Sequence, residues 1–137
     1  MPRPTLDNMP LGEAAEMLEG VTRVNQLQLA GGMPGITMAL QRGVVGGTRD
    51  GRRLRYIRHD PTERWQTIRG IWRRGGGDCE DLAAAVAAEI RHRGGQADPV
   101  IYRVRPGLAH VIVRARDRLG QVEYLDPSRW GGMGEDG

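Results

Sequence analysis

The chain of 137 residues contains no phenylalanine, no lysine and only one cysteine, Cys79. Without phenylalanine, a core must be built from aliphatic residues, with the three tryptophans as its largest pieces. A single cysteine excludes an intrachain disulfide, and the three histidines show no ligand spacing, which argues against a zinc site. The sequence therefore predicts a folded domain with neither a metal nor a cofactor.

Because lysine is absent, every basic side chain is arginine, and the formal net charge is only +3. We interpret the arginine preference as coding bias rather than a selected guanidinium function. The arginine-rich stretch 49–58 has no interleaved aromatic residues of the kind that bind nucleic acid, and no known nucleic-acid motif is present. We read that stretch as a solvated face and predict no nucleic-acid partner.

Long uncharged apolar runs are also absent, and the first residues carry no apolar segment of the signal-peptide type. These two absences predict a soluble chain with no membrane partner and no signal peptide.

Helical and strand periodicities divide the first half of the chain. Apolar residues at helical spacing predict an amphipathic helix over 11–30, followed by a short helix over 34–41. A glycine-rich loop at 43–51 then leads to a short strand over 54–57 and a helix over 62–73.

The best-specified element is a helix that begins at Cys79. Asp78 is a good N-cap, and Glu80 and Asp81 suit the positive end of the helix dipole. We expect the glycine run 75–77 to be a flexible lead-in. An apolar stripe at i, i+4 and i+8 faces the body of the protein: Leu82, Val86 and Ile90.

Three strand patterns follow this helix, at 100–104, 108–116 and 121–125. Pro106-Gly107 separates the first two, and residues 117–120 separate the last two. The order of elements predicts an α+β domain in which the Cys79 helix packs on an antiparallel sheet of three or four strands.

Cys79, His110 and Asp126 follow one another on the predicted helix, a strand and a strand end. This is the arrangement of a thiol nucleophile with its base and orienting group. Backbone N–H groups at the first helical turn favour a thiolate, whereas Glu80 and Asp81 oppose it. A protonated imidazole beside the thiol would be needed to lower its pKa.

The last hairpin supplies a geometric expectation for the histidine. If its two strands pair about Arg118, His110 and Asp126 lie directly opposite each other and point to the same face. A bulge at Gly120 would shift this register by one residue.

Three short segments carry a resemblance to a known family. Gly77-Asp78-Cys79-Glu80-Asp81-Leu82-Ala83, Ala109-His110-Val111 and Leu125-Asp126-Pro127-Ser128 resemble the bacterial transglutaminase-like superfamily, whose core is papain-like. The upstream segments 56–61 and 63–67 resemble the lead-in of small members carried by phages and prophages. The resemblance covers about residues 54 to 130.

The resemblance implies a role for each matching residue. Cys79 would be the nucleophile, His110 the general base and acid, and Asp126 the orienting carboxylate. An oxyanion donor is expected upstream of the cysteine, and Trp65 and Gln66 are both candidates by position. The implied fold is a papain/transglutaminase-like core, with no cofactor.

The chain divides accordingly into an N-terminal helical region over 1–50 to which we assign no role, a transglutaminase-like catalytic core over 51–130, and a flexible glycine-rich tail over 131–137. The implied function is cysteine-dependent acyl chemistry on amide bonds, as in a thiol hydrolase or cysteine peptidase. Peptide hydrolysis or deamidation is favoured over amine transfer, because water needs no binding site for a second substrate.

A non-enzymatic alternative stays open. Phage-type members of the superfamily could serve as virion or assembly components, with the fold acting as a binding module for phage structural proteins. The enzyme would act on a peptide or protein substrate in the cytoplasm of a bacterial cell. The phage-encoded alternative would be associated with the virion.

Overall fold

The computed structural model describes residues 9–41, 54–58 and 65–134. The fold is mixed α+β, with a central helix packed on a three-stranded antiparallel sheet of order β3–β4–β5 and a separate parallel pair, β1–β2. The helices are α1 (Leu11–Ala30), α2 (Thr37–Leu40), α3 (Ile68–Arg74), α4 (Cys79–His92) and α5 (Pro127–Trp130). The strands are β1 (Arg55–Tyr56), β2 (Gly76–Gly77), β3 (Gln96–Arg105), β4 (Leu108–Arg116) and β5 (Val122–Leu125).

Helix α4 lies at the centre of the molecule, in contact with α1 on one side and with β3 and β4 on another. Every residue from 79 to 88 is buried, so the predicted apolar stripe describes only part of the buried surface. Five of these residues are alanines, whose small side chains let neighbouring elements approach the helix from several directions.

Arg91, near the end of α4, ties three elements together. Its guanidinium donates to Glu19 Oε1 of α1 at 2.7 Å and to Asp98 Oδ1 of β3 at 2.9 Å. Its Nε also donates to the Ala97 carbonyl at 2.7 Å. The planar arginine fork can serve several acceptors in this way, so α1 belongs to the same packed body as the sheet.

Helix α1 has the predicted bounds, whereas α3 begins at Ile68 rather than near residue 62. Residues 65–67 are extended, and 61–64 lie outside the described part. Asn25 Oδ1 of α1 accepts from the Ile68 N–H at 2.8 Å, and Gln28 Oε1 accepts from the Arg69 N–H at 3.0 Å. Side chains of α1 thus satisfy the first N–H groups of α3 and set where it starts.

Strand β3 is longer than predicted because it continues through Pro99, which pairs with Val113 of β4. A proline is tolerated there because β3 is an edge strand of the described sheet, with a paired neighbour on one side only. The predicted loop over 43–51 lies outside the described residues, as do residues 135–137 of the predicted tail.

The two faces of the sheet differ. Ala109, Val111 and Val113 of β4 are buried and belong to the core cluster that includes α4. Strand alternation places His110 and Ile112 on the opposite face. The face that bears the histidine is therefore not the face that packs against the core.

The glycine run before α4 is not the flexible lead-in that we expected. Gly76 and Gly77 are buried and form β2, which pairs in parallel with Arg55 and Tyr56. A Cβ on Gly76 would collide with the Arg55 carbonyl oxygen, and one on Gly77 would lie 2.8 Å from the Asp81 Cβ. Only glycine lets these backbones come so close.

Among the described residues, no helix combines the length and the apolar character needed to cross a bilayer.

The close approach at Gly76 predicts the effect of adding one methyl group. Gly76→Ala should lower the free energy of unfolding by about 1–3 kcal/mol or more, because the new Cβ overlaps a backbone atom that cannot move alone. Urea denaturation followed by circular dichroism measures the change.

Gly20→Ala is the matched control, since a Cβ on this residue of α1 meets no atom within 4 Å. It should raise stability by up to about 1 kcal/mol through helix propensity. Equal stability of Gly76→Ala and the wild type would contradict the proposed contact.

Candidate active site

The start of α4 is fixed by two side chains that cap each other's backbone. The Asp78 carboxylate accepts from the Asp81 N–H at 3.4 Å, and Asp81 Oδ2 accepts from the Asp78 N–H at 3.3 Å. This reciprocal pair is a capping box, here with aspartate at the third helical position. It makes Cys79 the first residue of the helix, with its side chain at the positive end of the helix dipole.

Asp81 also connects the helix to the segment before α3. Its Oδ1 accepts from the Gln66 backbone N–H at 2.7 Å, while its side chain fills the space beside Gly77. Asp81 therefore links the start of α4 to the segment before α3, in addition to capping the helix. Sequence reasoning assigned it only to the helix dipole and missed this contact, for which no motif gave a signal.

The Cys79 thiol is buried, with 8% of the residue exposed. Its Sγ donates to Glu80 Oε2 at 3.4 Å. Burial raises the pKa of this thiol well above its ordinary value, and the negative charges of Glu80 and Asp78 raise it further. The backbone amide of Val111 acts in the opposite direction and lowers the thiol pKa, so the sulfur lies beside the residue that follows His110.

Three carboxyl groups crowd the first turn of the helix. One carboxyl oxygen from each of Asp78, Glu80 and Asp81 lies within 4.8 Å of the other two. Burial raises the pKa of both Glu80 and Asp81, and the charge of Asp78 adds to each shift. Because several like charges cannot all ionise at this distance, the cluster retains protons well above the usual carboxyl range.

We do not assign these carboxyl groups as metal ligands. Asp81 is engaged by the Gln66 and Asp78 backbone N–H groups, Asp78 by the Asp81 N–H, and Glu80 by the thiol. Each of the three carboxyl groups thus already has a partner within the protein.

His110 and Asp126 meet on the sheet face away from the core. His110 Nε2 lies 3.0 Å from Asp126 Oδ2, and the two side chains are 12% and 24% exposed. Arg129 adds a longer ionic contact, with its Nε 3.7 Å from the same carboxylate oxygen. The carboxylate can hold the imidazole with its proton on Nε2, which leaves Nδ1 as the basic nitrogen.

The register predicted for this hairpin was wrong, although the two side chains do meet. Val113 pairs with Leu125, so Asp126 is level with Ile112 rather than with His110. The difference arises because the three-residue loop is 118–120, centred on Leu119 rather than on Arg118, and ends in Gly120 with φ +81°. Moving the partner by two residues keeps it on the same face, so the contact becomes diagonal.

The opposite neighbour of His110 is Tyr102, which sequence reasoning missed. The two residues are cross-strand partners in β3 and β4, and their rings meet edge to face at 5.8 Å with an interplanar angle of 88°. The turn at Pro106-Gly107 was only part of the signal, because a regular hairpin there would pair Tyr102 with Val111. The register shift between Arg103 and Arg105 moves its partner to His110.

The two candidate oxyanion donors lie just before α3. Gln66 gives its backbone N–H to Asp81, and its side-chain oxygen lies against Gly70. Trp65 is partly buried and packs against the hydrophobic core. Both residues lie in the segment that Asp81 holds through the Gln66 N–H, and neither is identified as the donor by these contacts.

Comparison of the chain with models of known protein families, with curated proteins and with solved structures found no match. The function of the chain is therefore inferred from the residues of the site.

The protonated carboxyl cluster predicts a particular dependence of stability on pH. Since the pKa of Glu80 is higher in the folded state, the folded protein keeps a proton that the unfolded chain releases above about pH 4.5. Its contribution to the free energy of unfolding therefore falls as pH rises, by up to about 1.4 kcal/mol per pH unit.

Glu80→Gln removes this titrating group while keeping its volume. The variant should gain stability relative to the wild type as pH increases from 5 to 8, as measured by urea denaturation at each pH. Glu123→Gln, at an exposed position of β5, is the matched control and should show a constant difference. A constant difference for Glu80→Gln as well would show that Glu80 titrates normally.

Proposed function

We propose that this protein performs cysteine-dependent acyl chemistry on amide bonds, with Cys79 as nucleophile, His110 as general base and acid, and Asp126 as orienting carboxylate. The observation that carries the proposal is the 3.0 Å contact between His110 and Asp126, one residue along β4 from the amide that acts on the thiol. This contact gives a histidine–carboxylate pair next in the chain to the backbone that approaches the thiol, and the approach of the imidazole to the sulfur is part of the proposal.

In the proposed reaction, His110 Nδ1 accepts the Cys79 proton as the sulfur attacks the carbonyl carbon of the amide. The resulting oxyanion is stabilised by backbone N–H groups at the start of α4, together with a donor from Trp65 or Gln66. The imidazolium then gives its proton to the departing amine, and the C–N bond breaks to leave a thioester.

Water completes the cycle. His110 accepts a proton from the water as its oxygen attacks the thioester carbon, and Cys79 leaves to regain its proton. We favour hydrolysis of peptides or side-chain amides over transfer to an amine, because water requires no second binding site. The substrate would be a peptide or protein.

The fold supports the same proposal at a coarser level. A helix that starts at the nucleophile and packs on an antiparallel sheet is the arrangement expected for a papain/transglutaminase-like core. We propose this core for residues 51–130, on the strength of the resemblance in its three short segments.

The buried thiol shapes how the reaction must begin. Because burial and neighbouring carboxyl groups raise its pKa, the resting sulfur carries its proton and gives it to His110 only during attack. No standing thiolate is required, and the pH dependence of reactivity should follow the imidazole rather than the thiol.

This expectation defines the test. Alkylation of Cys79 by iodoacetamide, followed by mass spectrometry from pH 5 to 10, should already increase near neutral pH, below the range expected for a buried thiol without a base. His110→Ala should abolish this increase and slow alkylation at pH 7.5 by about 100-fold, the usual effect of losing a general base. Cys79→Ala should take up no label.

Asp126→Asn tests the orienting role. It keeps the shape of the side chain but removes its charge, so alkylation at pH 7.5 should fall without a change in the melting temperature. The proposed chemistry would be overturned if the rate of Cys79 alkylation had the same pH profile in the wild type and in His110→Ala and rose only in the alkaline range.

An alkaline pH profile that does not depend on His110 would favour a non-enzymatic function, and one observation supports that function. The thiol donates its hydrogen bond to Glu80, which stabilises an unreactive protonated sulfur. The chain would then be a virion or assembly component of a phage or prophage, using this fold as a binding module for phage structural proteins. Co-purification with such proteins would distinguish it from the enzyme.

A further inference from the structure

Three neighbouring strands place one side chain each in a row on the outer face of the sheet. Tyr102 comes from β3, His110 from β4, and Asp126 from the end of β5. The tyrosine ring contacts the imidazole at 5.8 Å, and the carboxylate bonds its Nε2 at 3.0 Å. The histidine is thus contacted directly from β3 by Tyr102 and diagonally from the end of β5 by Asp126.

An imidazole needs more than one restraint to act as a base. Rotation about its last side-chain bond has two broad minima, which exchange the positions of ring nitrogens and carbons. In one of them, Asp126 would face a carbon instead of Nε2, and Nδ1 would move away from its working position. The hydrogen bond to Asp126 selects one orientation, but it leaves the tilt of the ring to be set by another neighbour.

We propose that Tyr102 is a positioning residue, which fixes the tilt of the His110 ring so that Nε2 stays on Asp126 and Nδ1 serves the thiol. This inference rests on the proposed function for its catalytic consequence, although the ring orientation itself does not. An interplanar angle of 88° matches the edge-to-face geometry that aromatic pairs prefer.

The position of Tyr102 supports a role beyond packing. The residue is 42% exposed, and its ring lies on the face opposite the core. An exposed aromatic ring adds little to the hydrophobic core, so its contact with the largely buried imidazole is what distinguishes it. The contact is made by the aromatic ring, so Tyr102→Phe should preserve it.

Tyr124 provides a matched control on the same face. It is 61% exposed, lies on β5 and pairs with Arg114, two residues along β4 from Ile112. Replacing it removes a similar exposed ring from the same sheet, but one that does not contact His110.

The test compares Tyr102→Leu, Tyr102→Phe and Tyr124→Leu with the wild type. The tautomer and pKa of His110 are read from its ¹⁵N and ¹³C NMR signals, and the alkylation of Cys79 is measured across pH. Tyr102→Leu should mix the two tautomers of His110 and slow alkylation at pH 7.5 by about two- to tenfold, the equivalent of one aromatic pair.

Tyr102→Phe should restore the wild-type tautomer and rate, and Tyr124→Leu should leave both unchanged. Circular dichroism confirms that each variant is folded. The proposal is overturned if Tyr102→Leu keeps the wild-type tautomer and pH profile, or if Tyr124→Leu disturbs them equally.

The two proposals fail in different ways. If His110→Ala leaves alkylation unchanged, the proposed function is wrong, yet the NMR comparison still decides whether Tyr102 orients the ring. If His110→Ala slows alkylation while Tyr102→Leu does not, the general base stands and only the positioning role is lost.

Discussion

The geometry of the candidate site depends on how closely the backbone before α4 approaches its neighbours. Gly76 lies against the carbonyl of Arg55, and Gly77 leaves room for the Asp81 side chain. Because Asp81 then caps the helix and holds the Gln66 backbone, one close approach sets where the helix begins. The thiol, the carboxyl cluster and the segment with the oxyanion candidates all take their positions from it.

Two opposing electrostatic influences meet at Cys79. The first turn of a helix favours an anion, whereas burial and the carboxyl groups of Glu80 and Asp78 favour the neutral thiol. Desolvation dominates, because a buried charge loses far more hydration than one helix terminus can replace. Under the proposed chemistry, the thiol therefore needs a base to take its proton, and His110 is the residue assigned to that role.

Local patterns were enough to predict α1, the start of α4, the strands around His110 and the α+β class. These features follow from periodicity, capping residues and turn residues that act over a few positions. The start of α3 could not be predicted, because Asn25 and Gln28 supply its first acceptors from another helix. The burial of Glu80 also escaped prediction, since it depends on everything packed around the helix.

Residue order and local patterns were sufficient to identify the reactive groups, their order along the chain and the kind of element on which each lies. Alternation along the strands even determined that His110 and Asp126 share a face, since a shift of two residues preserves the period of two. The folded structure was needed to show that their contact is diagonal, that the Tyr102 ring contacts His110, and that the thiol donates a hydrogen bond to Glu80. The reason is physical: loop geometry sets register and packing sets burial, and both depend on residues distant in the chain.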